Sequence, residues 1–256
     1  MKLVSIDLQS EFGFFRKPDT NNTINLSYNI IHKPAVLGIL GAILGLDGYK
    51  EKGVLPAYYT RLKNLKIGIE PLNHDRGNFA KTSIRYSNTI GYANKGANFL
   101  TEELTLISPA YRIYILLDEQ DDLHTQLLQQ LATAQATYIP YFGKNEFTAW
   151  WERGSFKEYN FHLANENRGE SVEIKSIFEK VYTLKDEQEV AYPDFLEFDN
   201  QVQTFIYFER LPLSINEVLM QYQLSDFVYS TYKIKKTEQL KDLYYLNERK
   251  GYVQFL

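Results

Sequence analysis

Residues Pro34 to Leu46 read PAVLGILGAILGL, an unbroken apolar run. A segment that is apolar on every side has to be buried. Pro34 suits a first helical turn, where its missing N–H would have no partner, so a helix is predicted to open there. At helical spacing Leu37, Leu40 and Leu44 share one face, and Gly38, Gly41, Ala42 and Gly45 form a stripe of small residues. A glycine inside a helix costs about 1 kcal/mol relative to alanine, so the stripe implies that something approaches closely. A sheet, another chain or a nucleic-acid backbone would each meet that demand; tight packing within the fold meets it equally well. The run is shorter than the roughly 20 residues that span a bilayer, and no membrane contact is expected.

The flanking segments set the fold class. Val4, Ile6 and Leu8 alternate with Leu3, Ser5 and Asp7, the pattern of a strand running toward Phe12. A polar loop covers Lys17 to Asn25, and Leu65 to Leu72 alternates again. Asn73 to Asn98 is poor in large aliphatics, and strand character resumes over Leu104 to Ile107 and Tyr111 to Leu117. Asp118 to Ala136 predicts a second helix, with Asp118, Glu119, Asp121 and Asp122 at its positive end and Leu123, Leu127, Leu128 and Leu131 on its apolar face. The order strand, helix, strand, long hairpin, strand, helix predicts an α+β chain with a ferredoxin-like (RRM-like) N-terminal domain over 1–150, the hairpin lying over 73–99. From Trp150 onward, short strand candidates at Val172 to Ile177, Gln203 to Glu209 and Phe227 to Lys233 predict a smaller, mostly β domain over 151–256. No Gly-, Ser- or Pro-rich linker separates the two, so firm packing is expected.

Net charge is −4, which at first argues against a polyanionic partner, but the charges are unevenly placed. Lys50 to Asn98 holds nine bases and three acids; Glu158 to Asp226 holds fourteen acids and five bases. Such a chain can turn one face to phosphates and the other to protein or solvent; random scatter over the surface is the alternative.

Several chemistries lack their residues. There is no cysteine, which removes disulfides and thiolate metal sites. The four histidines, His32, His74, His124 and His162, lack metal-ligand spacing, so neither a metal nor another cofactor is expected. No P-loop, dinucleotide-binding or nucleophile-elbow motif occurs. The N-terminal residues carry Asp7 where a secretory signal would need apolar side chains, and a cytoplasmic location is expected.

Binding chemistry is better represented. Single-stranded RNA is held by cations on phosphates and by aromatic faces on unstacked bases. Phe14, Phe15, Arg16 and Lys17 supply both together. In the long hairpin Arg76, Lys81, Arg85 and Lys95 interleave with Phe79, Tyr86 and Tyr92, and Asn78, Asn88 and Asn94 add amides. The same residues could equally pack and solubilise a hairpin. The usual RRM signature is absent.

Three segments together resemble a known family. FFRKP (14–18), then SY (27–28) leading into PAVLGILGAILG (34–45), then YFGKNEF (141–147), are similar to the fifth CRISPR-associated (Cas) family of the RAMP superfamily, in its type I-B form. The resemblance covers roughly the first 150 residues. It implies a ferredoxin-like fold with a hairpin thumb, a small C-terminal β-domain, and a subunit that caps the 5′ handle of the crRNA in a Cascade complex. The implied partners are the backbone subunit (seventh Cas family), the large subunit (eighth Cas family) and, indirectly, target DNA. Phe14 to Lys17 and Pro34, Ala35 and Gly38 would border the handle, the helix start offering free N–H groups to a phosphate. The hairpin would clamp the RNA, and Gly143 and Lys144 correspond to a family motif.

One departure bears on catalysis. The type I-C branch cleaves precursor RNA without metal through a Tyr and a Lys-His pair. Tyr49 sits in a comparable place, but Lys-His occurs nowhere; the nearest dipeptide is His32-Lys33, reversed, and Lys144 is followed by Asn145. No catalytic residue and no enzymatic activity are therefore expected. A metal-independent endoribonuclease acting on precursor crRNA, and a structural interaction module without RNA, are the alternatives.

Overall fold

The structure, a computed structural model, describes residues 1–18, 23–87, 100–164, 171–180, 192–193, 204–235, 237 and 240–256. The chain begins with β1 (Lys2–Gln9), the short β2 (Phe12–Gly13) and β3 (Phe15–Arg16), and β4 (Ile24–Tyr28). Helices α1 (Lys33–Leu44) and α2 (Ala57–Leu62) follow, then β5 (Lys66–Leu72), β6 (Lys81–Ser87), β7 (Leu100–Ile107), β8 (Ala110–Leu117) and α3 (Asp122–Thr133). The rest is β9 (Lys157–Tyr159), β10 (Phe161–Leu163), β11 (Phe178–Glu179), β12 (Tyr192–Pro193), β13 (Ile206–Asn216), β14 (Gln221–Ser230), β15 (Ile234–Lys235), β16 (Leu243–Leu246) and β17 (Gly251–Gln254).

The architecture is α+β. The first sheet has the order β5-β8-β1-β9 and is antiparallel throughout. With α1 between β1 and β5, and α3 between β8 and β9, the connectivity is that of a ferredoxin-like sheet. The β6–β7 hairpin is inserted between its second and third strands and carries a second sheet, β2-β7-β4-β3, in which β4 runs parallel to β7.

Strand alternation explains why the first sheet is buried on both faces. Val4, Ile6 and Leu8, with Tyr111, Ile113, Ile115 and Leu117, join Val36, Leu37, Leu40 and Ile43 of α1 in the main core. Full burial of each such side chain is worth about 1.5–3 kcal/mol. Leu3, Tyr114 and Leu116 face the other way, against Tyr159, Leu246, Val253 and Phe255. The charged residues on that second face find one another. Arg112 makes a two-pronged pair with Asp7 (2.6 and 2.7 Å), while Glu70 accepts from Tyr114 Oη and Arg249 Nη2, each at 2.6 Å. Desolvation raises the Glu70 carboxyl, and Arg249 opposes that shift.

Helix α1 starts where the apolar run predicts but stops at Leu44, two residues before the run ends. His32 caps it, its Nδ1 accepting from Ala35 N–H at 3.2 Å, and Pro34 lies in the first turn. Gly45, at φ 75, lets Leu46 N–H return to Gly41 O at 2.8 Å. The glycine stripe is answered partly by α2: a Cβ on Gly41 would lie 2.3 Å from Tyr58 Cβ. Helix–helix contact, rather than helix–sheet packing, makes that demand.

Other expectations shift. The second helix starts at Asp122, not Asp118, because Asp121 takes the N-cap, its carboxylate accepting from Leu123 and His124 N–H. The first strand stops at Gln9, and Phe12 belongs to the second sheet. Strand β7 starts four residues before Leu104. Val172 and Ile174 form isolated bridges with Ile234 and Tyr252 instead of a continuous strand. The basic and acidic stretches meet where Lys63 pairs with Glu217 at 2.5 Å, while Lys66 pairs with Asp242, beyond the acidic stretch, also at 2.5 Å. No helix among the described residues is long and apolar enough to cross a membrane.

Candidate nucleic-acid interface

A groove of about 900 Å³ opens between the start of α1, the β2–β3 segment and residues 138–144. Its lining brings together Phe14, Phe15, Arg16, Pro34, Ala35, Gly38, Gly143 and Lys144, expected from three separate stretches of sequence. Ala35, Gly38 and Ala42 lie one and two turns apart on α1, so the helix offers the groove a smooth wall.

Gly143 is held by geometry. Its φ is +83°, and a Cβ there would lie 1.9 Å from the Phe14 carbonyl oxygen. Phe14 N–H donates to Phe142 O at 3.0 Å, which draws the two segments together. Phe14 and Phe15 are almost entirely buried. The Phe15 ring meets His32, Tyr111 and Phe142, and the two phenylalanines form the groove floor.

The cations divide sharply. Arg16 is exposed and lines the groove with no ion-pair partner among the described residues. Lys144 is enclosed by Phe14, Tyr86 and Phe147, 5.6, 4.2 and 5.9 Å from its ammonium, and is hydrogen-bonded to Glu103. Burial disfavours its charge, but the bonds to Glu103 and Tyr86 outweigh this and raise its pKa.

Lys17 lies off the groove, paired with buried Glu209 at 3.1 Å and 5.1 Å from the Tyr28 ring centroid. Lys81 donates to Asn29 Oδ1 and Phe79 O, and burial lowers its pKa. Arg85 bonds to Glu102 across the hairpin at 3.0 Å. Arg76 is exposed in the turn bridged by Asp75 and Asn78, away from the groove lining. Lys95, with Asn88, Tyr92 and Asn94, lies outside the described residues.

The helix start is not an open anion site. Pro34 has no N–H, Ala35 N–H is taken by the His32 side chain, and Val36 N–H donates to His32 O. Burial pushes His32 down to about 3, so the cap is neutral. Among the described residues no group of three or more His, Asp or Glu side chains is arranged to hold a metal ion.

Sequence reasoning named Tyr49 and Tyr141 for other reasons and missed Tyr138 and Tyr222 on the rim. Tyr49, Tyr138, Tyr141 and Tyr222 line the groove and are exposed, at 61, 55, 43 and 41%. Tyr222 comes from β14, and its ring lies 5.3 Å from His32. The count of 20 tyrosines was a signal that such a rim was available, but nothing local marked these four as neighbours.

The chain matches no protein-family model and no curated protein. It is similar to a chain of a solved "CRISPR RNA-guided surveillance complex", at 13% identity and TM-score 0.48, over 93% of this chain and 92% of that one. A CRISPR protein from Archaeoglobus fulgidus is similar at 14% identity and TM-score 0.47, over 99 and 98%. A chain of a Type III-B Cmr-beta complex bound to cognate target RNA and AMPPnP is similar at 12% identity and TM-score 0.47, over 93 and 86%.

Proposed function

We propose that this chain is a non-catalytic RNA-binding subunit of a type I CRISPR Cascade complex, holding the 5′ handle of the crRNA in the groove beside α1. The observation that carries the reading is the convergence of the three resembling segments on one groove rimmed by exposed tyrosines and Arg16. Exposed rings are platforms for unstacked bases, and a guanidinium with no ion-pair partner among the described residues is available to a phosphate. The smooth wall at Ala35, Gly38 and Ala42 leaves room for a sugar–phosphate backbone. Lys144 acts from below, fastening the hairpin to the groove. The sequence resemblance extends the proposal to a type I-B complex, with the seventh and eighth Cas families as protein partners and target DNA met through the guide.

A processing ribonuclease is the second reading, because Tyr49 and His32 line the same groove. Their environments favour binding. His32 is neutral and its Nδ1 is occupied by the Ala35 N–H; burial raises the Tyr49 phenol instead of activating it.

The test mixes the protein with repeat-derived precursor RNA without metal and follows retention and cleavage together. Salt-sensitive retention of intact RNA that prefers an authentic 5′ handle is expected. Clean cutting at one repeat position, lost in Tyr49→Phe or His32→Asn, would replace the proposal with the nuclease. Neither retention nor cutting, from the isolated chain or from the complex copurified with its neighbouring subunits, would sink both.

A further inference from the structure

We infer that a second cavity, beside the groove, receives one unstacked base of the same RNA strand; this rests on the handle-binding reading. The cavity holds about 610 Å³, within the roughly 300–1,000 Å³ range of small-molecule sites. Tyr28, Tyr49 and Tyr222 line it together with Ile215 and Leu224 of the β13–β14 hairpin. Tyr49 and Tyr222 also line the first groove, so the two spaces adjoin at a pair of phenol rings.

Charge separates them. Among the described residues no charged side chain lines the second cavity, whereas Arg16, Asp47, Glu103 and Lys144 all reach the first. A phosphate would lose its hydration in the second cavity and meet there only Lys17, which lies 5.1 Å from the Tyr28 ring and is already paired with Glu209, while a neutral aromatic base would bury its faces. Exposed Gln221 stands at the cavity and adds an amide able to give and accept hydrogen bonds at the edge of a base. The division of labour follows: the backbone passes Arg16, and one base turns past Tyr222 toward Leu224. Ile215, Gln221, Tyr222 and Leu224 come from the C-terminal hairpin, outside the segments that carried the sequence resemblance, while Pro18 and Tyr28 lie within those segments.

The experiment uses handle RNAs carrying a single abasic nucleotide at each position in turn, with affinity measured at fixed salt. One position should weaken binding to the unsubstituted protein about tenfold, the scale of one lost stacking contact. Leu224→Trp fills the cavity without reaching the groove. It should lower affinity for the complete handle by a similar factor and abolish the penalty at that one position, while Arg16→Ala retains the penalty. Circular dichroism checks that Leu224→Trp folds. Gln221→Trp, at an exposed position that would cover the mouth, gives the same readout if it does not. Unchanged affinity for the complete handle in the filled variant, or an abasic penalty that persists there, overturns the second site and leaves the groove standing. Failure of the unsubstituted protein to retain handle RNA, alone or in the complex, overturns both.

Discussion

The Lys144 ammonium lies 4.2 Å from the centroid of the Tyr86 ring, joining the loop beside α1 to the inserted hairpin. Its hydrogen bond goes to Glu103 on the neighbouring strand, a residue only 9% exposed, so the cation is tied to both strands of the hairpin. The charge is used inside the protein, and its value to the groove is positional.

Lys144→Met should therefore destabilise the fold by about 2 kcal/mol, because the buried Glu103 is left without its partner. Glu103→Gln combined with Lys144→Met should recover much of that loss. Urea midpoints of the four proteins in the cycle measure the coupling. In the folded variant, handle affinity should change less than in Arg16→Ala.

Arg16→Ala should leave the unfolding midpoint unchanged, since the side chain is exposed and unpaired among the described residues. It should weaken handle binding and reduce the slope of log affinity against log salt by about 0.7, the share of one phosphate contact on a single strand. Titrations at several salt concentrations check both. Arg85→Ala removes an exposed side chain already bonded to Glu102 and should change the slope less.

Gly143→Ala should be poorly tolerated. The left-handed backbone alone costs an alanine roughly 1–2 kcal/mol, and the added methyl would collide with the Phe14 carbonyl. Gly48→Ala is the control, for nothing lies within 4 Å of a Cβ built there. Soluble yield and urea midpoint should separate the two, the first variant falling by at least about 2 kcal/mol and the second staying near the parent.

His32 makes stability depend on pH in a defined direction. Burial holds its pKa near 3 in the folded protein, against an ordinary value of 6.5. Between those values the unfolded chain binds the proton and the folded chain does not, so stability rises with pH. The contribution is complete above about 6.5 and is lost toward 3, at up to about 1.4 kcal/mol per pH unit. His32→Asn keeps a capping acceptor and should flatten this part of the curve. The difference between the urea midpoints of the two proteins, from roughly pH 4.5 to 7, isolates the histidine from the carboxylates that titrate alongside it.

Parts of this molecule were legible residue by residue. The alternation in β1 foretold a strand with Val4, Ile6 and Leu8 on one face, and the run from Pro34 foretold α1. Helix α2 was not foreseen: its 6 residues are too few for a helical period to emerge, and Tyr58 packed on Gly41 is what makes it visible. The groove was legible in its floor and hidden in its rim. Phe14 to Arg16 and Gly143–Lys144 are compact motifs, whereas Tyr138 and Tyr222 stand among polar or mixed neighbours that give them no local signature.

Sequence alone determined the elements whose hydrogen bonds and periodicity close over neighbouring residues, such as α1 with its proline start. Tertiary structure decided which charges are free. Glu209 accepts from Asn29 and Ile30 N–H, each at 2.9 Å and across 180 and 179 residues, and it also pairs with Lys17. Lys17 and Arg16 are adjacent cations in the sequence, yet one is bound to a buried carboxylate and the other faces the groove. A local pattern cannot separate them, because the partner that neutralises Lys17 arrives only when the β13–β14 hairpin packs against the turn before α1.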